Sequence, residues 1–194
     1  AQAAIVVCAY CTYKSLDYYS YYLVQIMGMD EVQGARVATW GAYSRVPSAI
    51  LAGLVADRFD ATRSIGVIFA VMGLSYAALS QLSPESSAAT VIYLNLAVTL
   101  LGMYALRGIY FALLQETRTP RHITGAAVGM VSVIGFTPEI FMGPVAGRIL
   151  DATPGVGGFH DLFALLSAIT VAGIVVVIWL VWLKRNNHAT QPVT

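Results

Sequence analysis

Five ionisable side chains lie inside long apolar runs of this sequence: Lys14, Asp17, Arg45, Arg107 and Glu139. Facing hydrocarbon, a charged side chain costs roughly 2.5–3.5 kcal/mol on insertion scales, so each should face a protein interior or a water-filled cavity. Lys14 and Asp17 stand three residues apart, as neighbours on one helix face do, and can pair. Tyr10, Lys14, Asp17, Tyr18 and Tyr21 recur at helical spacing and make that face polar and aromatic. Met103, Tyr104, Arg107, Tyr110 and Phe111 make a second such face. An arginine can grip a carboxylate or phosphate through two parallel hydrogen bonds, and a tyrosine offers both a ring and a hydroxyl. This chemistry suits recognition of a small solute. Arg107 is the candidate anchor, the alternative being an internal ion pair with Glu139 or Asp17. Arg45, close to Pro47, reads as an interface pair. Pro138 frees a backbone carbonyl near Glu139. A carboxylate in a low-dielectric setting tends to hold its proton, which makes Glu139 and Asp17 candidates for proton coupling, with a structural Glu139 as the alternative. Three interior cations against two anions favour an anionic organic solute.

Catalytic patterns are missing. The sequence has no phosphate-binding loop, no H-E-x-x-H and no G-x-S-x-G. His122, His160 and His188 fall in loops or the tail, without metal-ligand spacing. Cys8 and Cys11 form a C-x-x-C, but inside an apolar helix, where thiolates are disfavoured, so they read as packing residues. Gly155 to Gly158 reads as a flexible loop. The expectation is a non-enzyme with no metal and no cofactor. A net charge of +1 argues against a nucleic-acid partner.

The elements that must carry these residues are transmembrane helices. Hydrophobic residues make up 58% of the chain and charged ones 11%, against roughly 45–50% and about 25% in soluble proteins. The apolar runs reach the ~20 residues that a spanning helix needs. Six spans are expected in an all-α polytopic membrane protein, at about 4–27, 33–56, 64–82, 88–115, 123–149 and 159–183, followed by a disordered tail over 186–194. The charged segments 57–63 and 116–122 are read as loops. No charged segment precedes the first apolar run, so it is not read as a signal peptide, and the chain is expected to be a fragment. Trp179 and Trp182 before Lys184 and Arg185 read as an interfacial belt with a basic anchor. With alternating loops, Arg58, Arg63, Arg118, Arg121, Lys184 and Arg185 fall on one side. Positive charge in membrane proteins concentrates in the cytoplasm, which places both termini there.

Two stretches echo one another: GLVADRFDAT at Gly53–Thr62 and GPVAGRILDAT at Gly143–Thr153, with one inserted residue. They end the second and fifth spans, on opposite membrane faces, as two inverted three-helix repeats would place them. The first stretch, with Arg63, resembles the loop pattern G-x-x-x-D-R/K-x-G-R-K/R of major facilitator superfamily (MFS) transporters. Gly53, Asp57 and Arg58 match it, Asp60 replaces the inner glycine, and Arg63 stands slightly displaced for the last basic position. Gly143, Pro144 and Gly147 resemble a G-P-x-x-G stretch in the fifth helix of some members. The resemblance covers the whole chain in topology but only about 20 residues in motif.

That resemblance implies the C-terminal six-helix half of a secondary transporter in a bacterial inner membrane, partnered by a missing N-terminal six-helix half or by a second copy. A half-sized dimeric transporter, a membrane enzyme or a scaffold are the alternatives. In such transporters the first and fourth helices of each half line the central cavity, which makes Lys14, Asp17, Tyr18, Arg107 and Tyr110 the expected substrate contacts. Gly53 would let two helices approach closely. Asp57 would sit near a helix N-terminus or pair with an arginine, so that Asp57, Arg58 and Arg63 act as a conformational latch. Pro138, Gly143, Pro144 and Gly147 would kink the fifth span and pack it tightly.

Overall fold

The computed structural model describes residues 1–85, 87–113 and 124–189. Arg118, Arg121 and His122 of the second charged loop lie outside those residues, as does the end of the tail. Nine helices are described: α1 Gln2–Lys14, α2 Leu16–Gln25, α3 Glu31–Tyr43, α4 Arg45–Phe59, α5 Ala61–Leu79, α6 Ala89–Ile109, α7 Thr124–Gly135, α8 Pro138–Ala152 and α9 Val156–Ala189. The chain remains helical past residue 186, the expected start of the tail, as far as Ala189.

Three of the expected spans are interrupted, and each interruption has the same local chemistry. Ser15, Ser44 and Thr137 separate α1 from α2, α3 from α4 and α7 from α8, all with helical dihedral angles. Each hydroxyl donates to the carbonyl three residues back: Ser15 to Thr12 at 2.7 Å, Ser44 to Gly41 at 2.6 Å and Thr137 to Ile134 at 2.8 Å. Such back-bonding bends a helix without ending its course. At the third break it also corrects an expectation. The carbonyl that Pro138 leaves without a helical donor is that of Ile134, and Thr137 occupies it, so it is not left open beside Glu139.

The bend at Ser15 keeps the buried stripe in register. Ile5, Ala9, Thr12, Ser15, Tyr19 and Tyr22 are all buried at steps of three or four, the period of a helix face. Ser15 shares a hydrogen bond with the Tyr76 hydroxyl at 3.0 Å, tying the bend to α5. α1 packs against α6, α7, α8 and α9, while α5 packs against α6 and α9, and α4 against α6. Near the end of α2, Tyr22 meets Phe159 and Phe163 edge-on, with centroids 4.9 and 5.5 Å away. Edge-to-face pairs add about 0.5–1.5 kcal/mol beyond the area they bury.

The segment read as a loop over 57–63 is almost entirely helical. α4 continues to Phe59 and α5 starts at Ala61, so the reversal is made at Asp60, with φ +82° and ψ +128°. Non-glycine residues rarely adopt this backbone. It is the position where the MFS loop pattern has its inner glycine. The Asp60 carboxylate accepts from the Thr62 backbone N–H at 3.0 Å, so the helix N-terminus expected to attract Asp57 is capped by Asp60.

Gly53 corrects another expectation. A Cβ added there would meet nothing within 4 Å, and the same holds at Gly143 and Gly147. The close approach between α4 and α6 is made by Gly108 instead, where an added Cβ would lie 3.1 Å from the Cα of Ala49. Pro144 sits inside α8, and Pro138 is its first residue, directly after the interruption at 136–137.

Outside, the bundle is apolar. Leu74, Val133 and Ile140 are about three-quarters exposed, and Val67, Val175 and Ile178 more than half. Soluble monomers rarely present contiguous apolar surface on this scale, whereas hydrocarbon covers it without cost. Four segments are long and apolar enough to cross a bilayer: Ala61–Leu79, Ala89–Ile109, Thr124–Ala152 and Val156–Asn186. The chain is an all-helical integral membrane protein.

Candidate functional site

The polar face of α1 and α2 is the centre of the site. The buried stripe described above turns Tyr10, Lys14 and Asp17 to the other side of the same helices. There the Lys14 ammonium meets two carboxylates, Oδ2 of Asp17 at 2.5 Å and Oε1 of Glu139 at 3.1 Å. Tyr10 donates to the other Glu139 oxygen at 2.8 Å. Glu139 comes into reach because α8 begins at Pro138, which places Glu139 in its first turn, where the helix dipole favours a carboxylate. Lys14 itself is only 15% exposed, whereas both carboxylates are 56% exposed. The cation is therefore enclosed and the anions face outward. Tyr18, one residue past Asp17, donates to the backbone carbonyl of Gly143 at 3.2 Å and ties α2 to α8.

Arg107 does not join either carboxylate. Its guanidinium lies over the Tyr13 ring, 4.5 Å from the centroid, a cation–π contact worth about 0.5–2 kcal/mol. Tyr13 neighbours Tyr10 at 5.5 Å, and Tyr10 neighbours Phe136 at 4.9 Å. An aromatic row thus joins Arg107 on α6 to the Lys14 cluster. Arg45 is the first residue of α4 and is exposed. Among the described residues neither arginine has a carboxylate partner. The interface pair expected for Arg45 is not found there, nor is the ion pair set as the alternative for Arg107.

Of the expected substrate contacts, Lys14, Asp17, Tyr18 and Arg107 come together along one side of the bundle. Tyr110 does not line it. It is buried and packs edge-on against Phe111, with centroids 4.5 Å apart, so it supports the site from behind. Tyr13 was not singled out by the sequence, although its place four residues after Ala9 and one before Lys14 puts it beside the polar stripe. No group of three or more metal-ligating side chains occurs among the described residues. Cys8 and Cys11 are free thiols in α1.

At the expected latch, Asp57, Arg58 and Arg63 are exposed. Arg58 sits 5.7 Å from the centroid of Phe59, and Asp57 has no ion pair among the described residues. Lys184 donates to the Thr62 hydroxyl at 2.6 Å, which brings the end of α9 to the α4–α5 turn.

The site sits in an integral inner membrane protein, and two relatives carry that description. No protein-family model matches the chain. It is similar to inner membrane protein YqcE of Escherichia coli (strain K12), 28% identical over 185 residues, which cover 93% of this chain and 43% of the relative. Inner membrane protein YihN of the same organism is 30% identical over 156 residues, 75% of this chain and 37% of the relative. The chain spans less than half the length of the curated relatives it matches.

Proposed function

We propose that this chain is the C-terminal six-helix half of an MFS-type secondary transporter that moves a small organic anion by alternating access. The observation that carries the reading is the split of charge on the α1/α6/α8 side. Lys14 is matched by two carboxylates, while among the described residues Arg107, over the Tyr13 ring, and Arg45 have no acid partner. A half-buried Arg107 and an exposed Arg45 on this side make a region of positive potential that an anionic solute can enter and leave.

Contacts at the helix ends fit six crossings of alternating direction. Gln2 at the start of α1 donates to the carbonyl of Leu113 at 3.0 Å, beyond α6, and Lys184 reaches Thr62. At the opposite end His160 meets the Leu82 carbonyl at 2.9 Å, and Tyr22 meets Phe159. The first end carries Arg58, Arg63, Lys184 and Arg185, so it is the cytoplasmic one. The Ser44–Pro47 and Thr137–Pro138 bends fall at similar points of spans two and five, in keeping with inverted repeats. Relatives more than twice as long as the matched stretch leave room for an N-terminal six-helix half, which would close the open side beside the charged cluster and hold a partner of Asp57.

The test is solute uptake into proteoliposomes by the full-length protein. Arg107→Ala should lower uptake more than tenfold, while Val171→Ala on the outer surface retains it. Unchanged uptake in both Arg107→Ala and Lys14→Ala would sink the assignment.

A further inference from the structure

Between α4, α5 and α6 lies an open groove of about 700 Å³. Its wall is apolar apart from Arg63 and two serines, Ser48 and Ser64, whose hydroxyls donate to the carbonyls of Ser44 and Asp60. Leu51, Val55 and Phe59 come from α4, Val67 and Val71 from α5, and Gly102 with its neighbours from α6. The one charged side chain in its lining is Arg63, at the end formed by the α4–α5 turn. Arg58 stands over the ring of Phe59 at that same end.

The length of the groove identifies its occupant. From Arg63 to Met72 it follows nine residues of α5, and from Phe59 to Ser48 eleven residues of α4. At 1.5 Å rise per residue these are about 14 and about 16 Å. One leaflet of a bilayer is about 15 Å deep in hydrocarbon. The groove therefore starts at a cationic rim and runs, lined mainly by apolar side chains, to about the bilayer midplane. A partner helix crossing the membrane would need twice that depth, and a soluble anion would have no use for the apolar wall. An acyl chain anchored by an anionic headgroup fits both parts.

We propose that this groove is a binding site for one anionic phospholipid of the leaflet on the Arg63 side, with an acyl chain laid along Val55, Val67 and Val71 and its phosphate held by Arg63 and Arg58. Lipid in this position fills the gap that α4 leaves against α5, so the site couples headgroup charge to the packing of the helix carrying Asp57. The inference does not depend on what the Lys14 and Arg107 site transports.

The experiment is native mass spectrometry of the full-length protein, purified and supplied with phosphatidylglycerol or phosphatidylcholine. One phosphatidylglycerol should be retained in preference to phosphatidylcholine. Each basic residue near a membrane surface is worth about fivefold in binding to anionic lipid, so Arg63→Gln should lower retention about that much, while Arg148→Gln on α8 leaves it unchanged. Val71→Trp, which fills the groove midway, should remove the bound lipid. Arg63→Gln changes an exposed side chain and keeps the test decisive where Val71→Trp does not fold. Equal retention of both lipids, or full retention in Arg63→Gln, overturns the proposal. So does a photoactivatable side chain at position 71 that captures a second protein instead of lipid.

Discussion

Lys14 is the residue whose replacement tests the polar cluster most directly. At the 2.5 Å of the Lys14–Asp17 contact and an effective dielectric of about 20, that attraction is worth about 7 kcal/mol before solvation and entropy are set against it. Asp17 is 56% exposed, so most of that is lost to screening and the pair contributes about 1 kcal/mol net. Lys14→Met should thus destabilise the full-length protein by at least about 1 kcal/mol and lower its thermal midpoint. It also leaves Asp17 and Glu139 as like charges sharing one face. Glu139→Gln alone removes the second pair and keeps the Tyr10 hydrogen bond, because the amide oxygen still accepts it, so it should cost less than Lys14→Met. Combined, the two changes remove a charge of each sign, and the double variant should be more stable than additivity predicts. The measurement is a double-mutant cycle of thermal unfolding in one detergent. Strict additivity would falsify the pairing. A double variant less stable than the sum would show that Glu139 is held mainly by something other than Lys14.

Three further outcomes follow from the packing. Asp60→Ala should lower the thermal midpoint, because it loses a cap worth about 1 kcal/mol and keeps the positive φ; Asp60→Gly should match or exceed the parent, and equal loss in both would contradict the backbone argument. Gly108→Leu forces α6 off Ala49 and should cost about 1–3 kcal/mol, whereas Gly53→Leu, with open space around it, should be nearly neutral in the same assay. The hydroxyl of Tyr22 is buried without a hydrogen-bond partner among the described residues, so Tyr22→Phe should be neutral or raise stability by up to about 1 kcal/mol, and a clear loss would mean that the hydroxyl is satisfied in the membrane.

The sequence carried the helical, membrane-embedded character of the chain well, because hydropathy sums over whole segments. It was less informative wherever one residue decides the geometry. The 57–63 segment is rich in charge and reads as a loop, yet charge at a membrane face does not require loss of helix. Only the φ of Asp60 shows that a single residue makes the reversal. Gly53 drew attention because it leads a motif, but small residues matter where a backbone comes near, and that place is Gly108. Its sequence surroundings, between Arg107 and Ile109, give no sign of Ala49 on the other helix.

The charged cluster shows the same division between type and partner. The five ionisable residues are conspicuous in the sequence because each one is costly in hydrocarbon, which singles them out but does not give their burial: Lys14 and Arg107 are partly enclosed, whereas Asp17, Arg45 and Glu139 are exposed. Which of them pair could not be read either, since pairing depends on where α8 starts relative to α1. With Glu139 in the first turn of α8, its carboxylate reaches Lys14 and Tyr10, and Arg107 is left to the ring of Tyr13. That reassignment has a consequence for function. Had Arg107 been neutralised internally, Arg45 alone of the two arginines would stay without an acid partner among the described residues. With Lys14 taking both acids, two arginines remain, and the anionic-substrate reading rests on that surplus rather than on a count of charges along the chain.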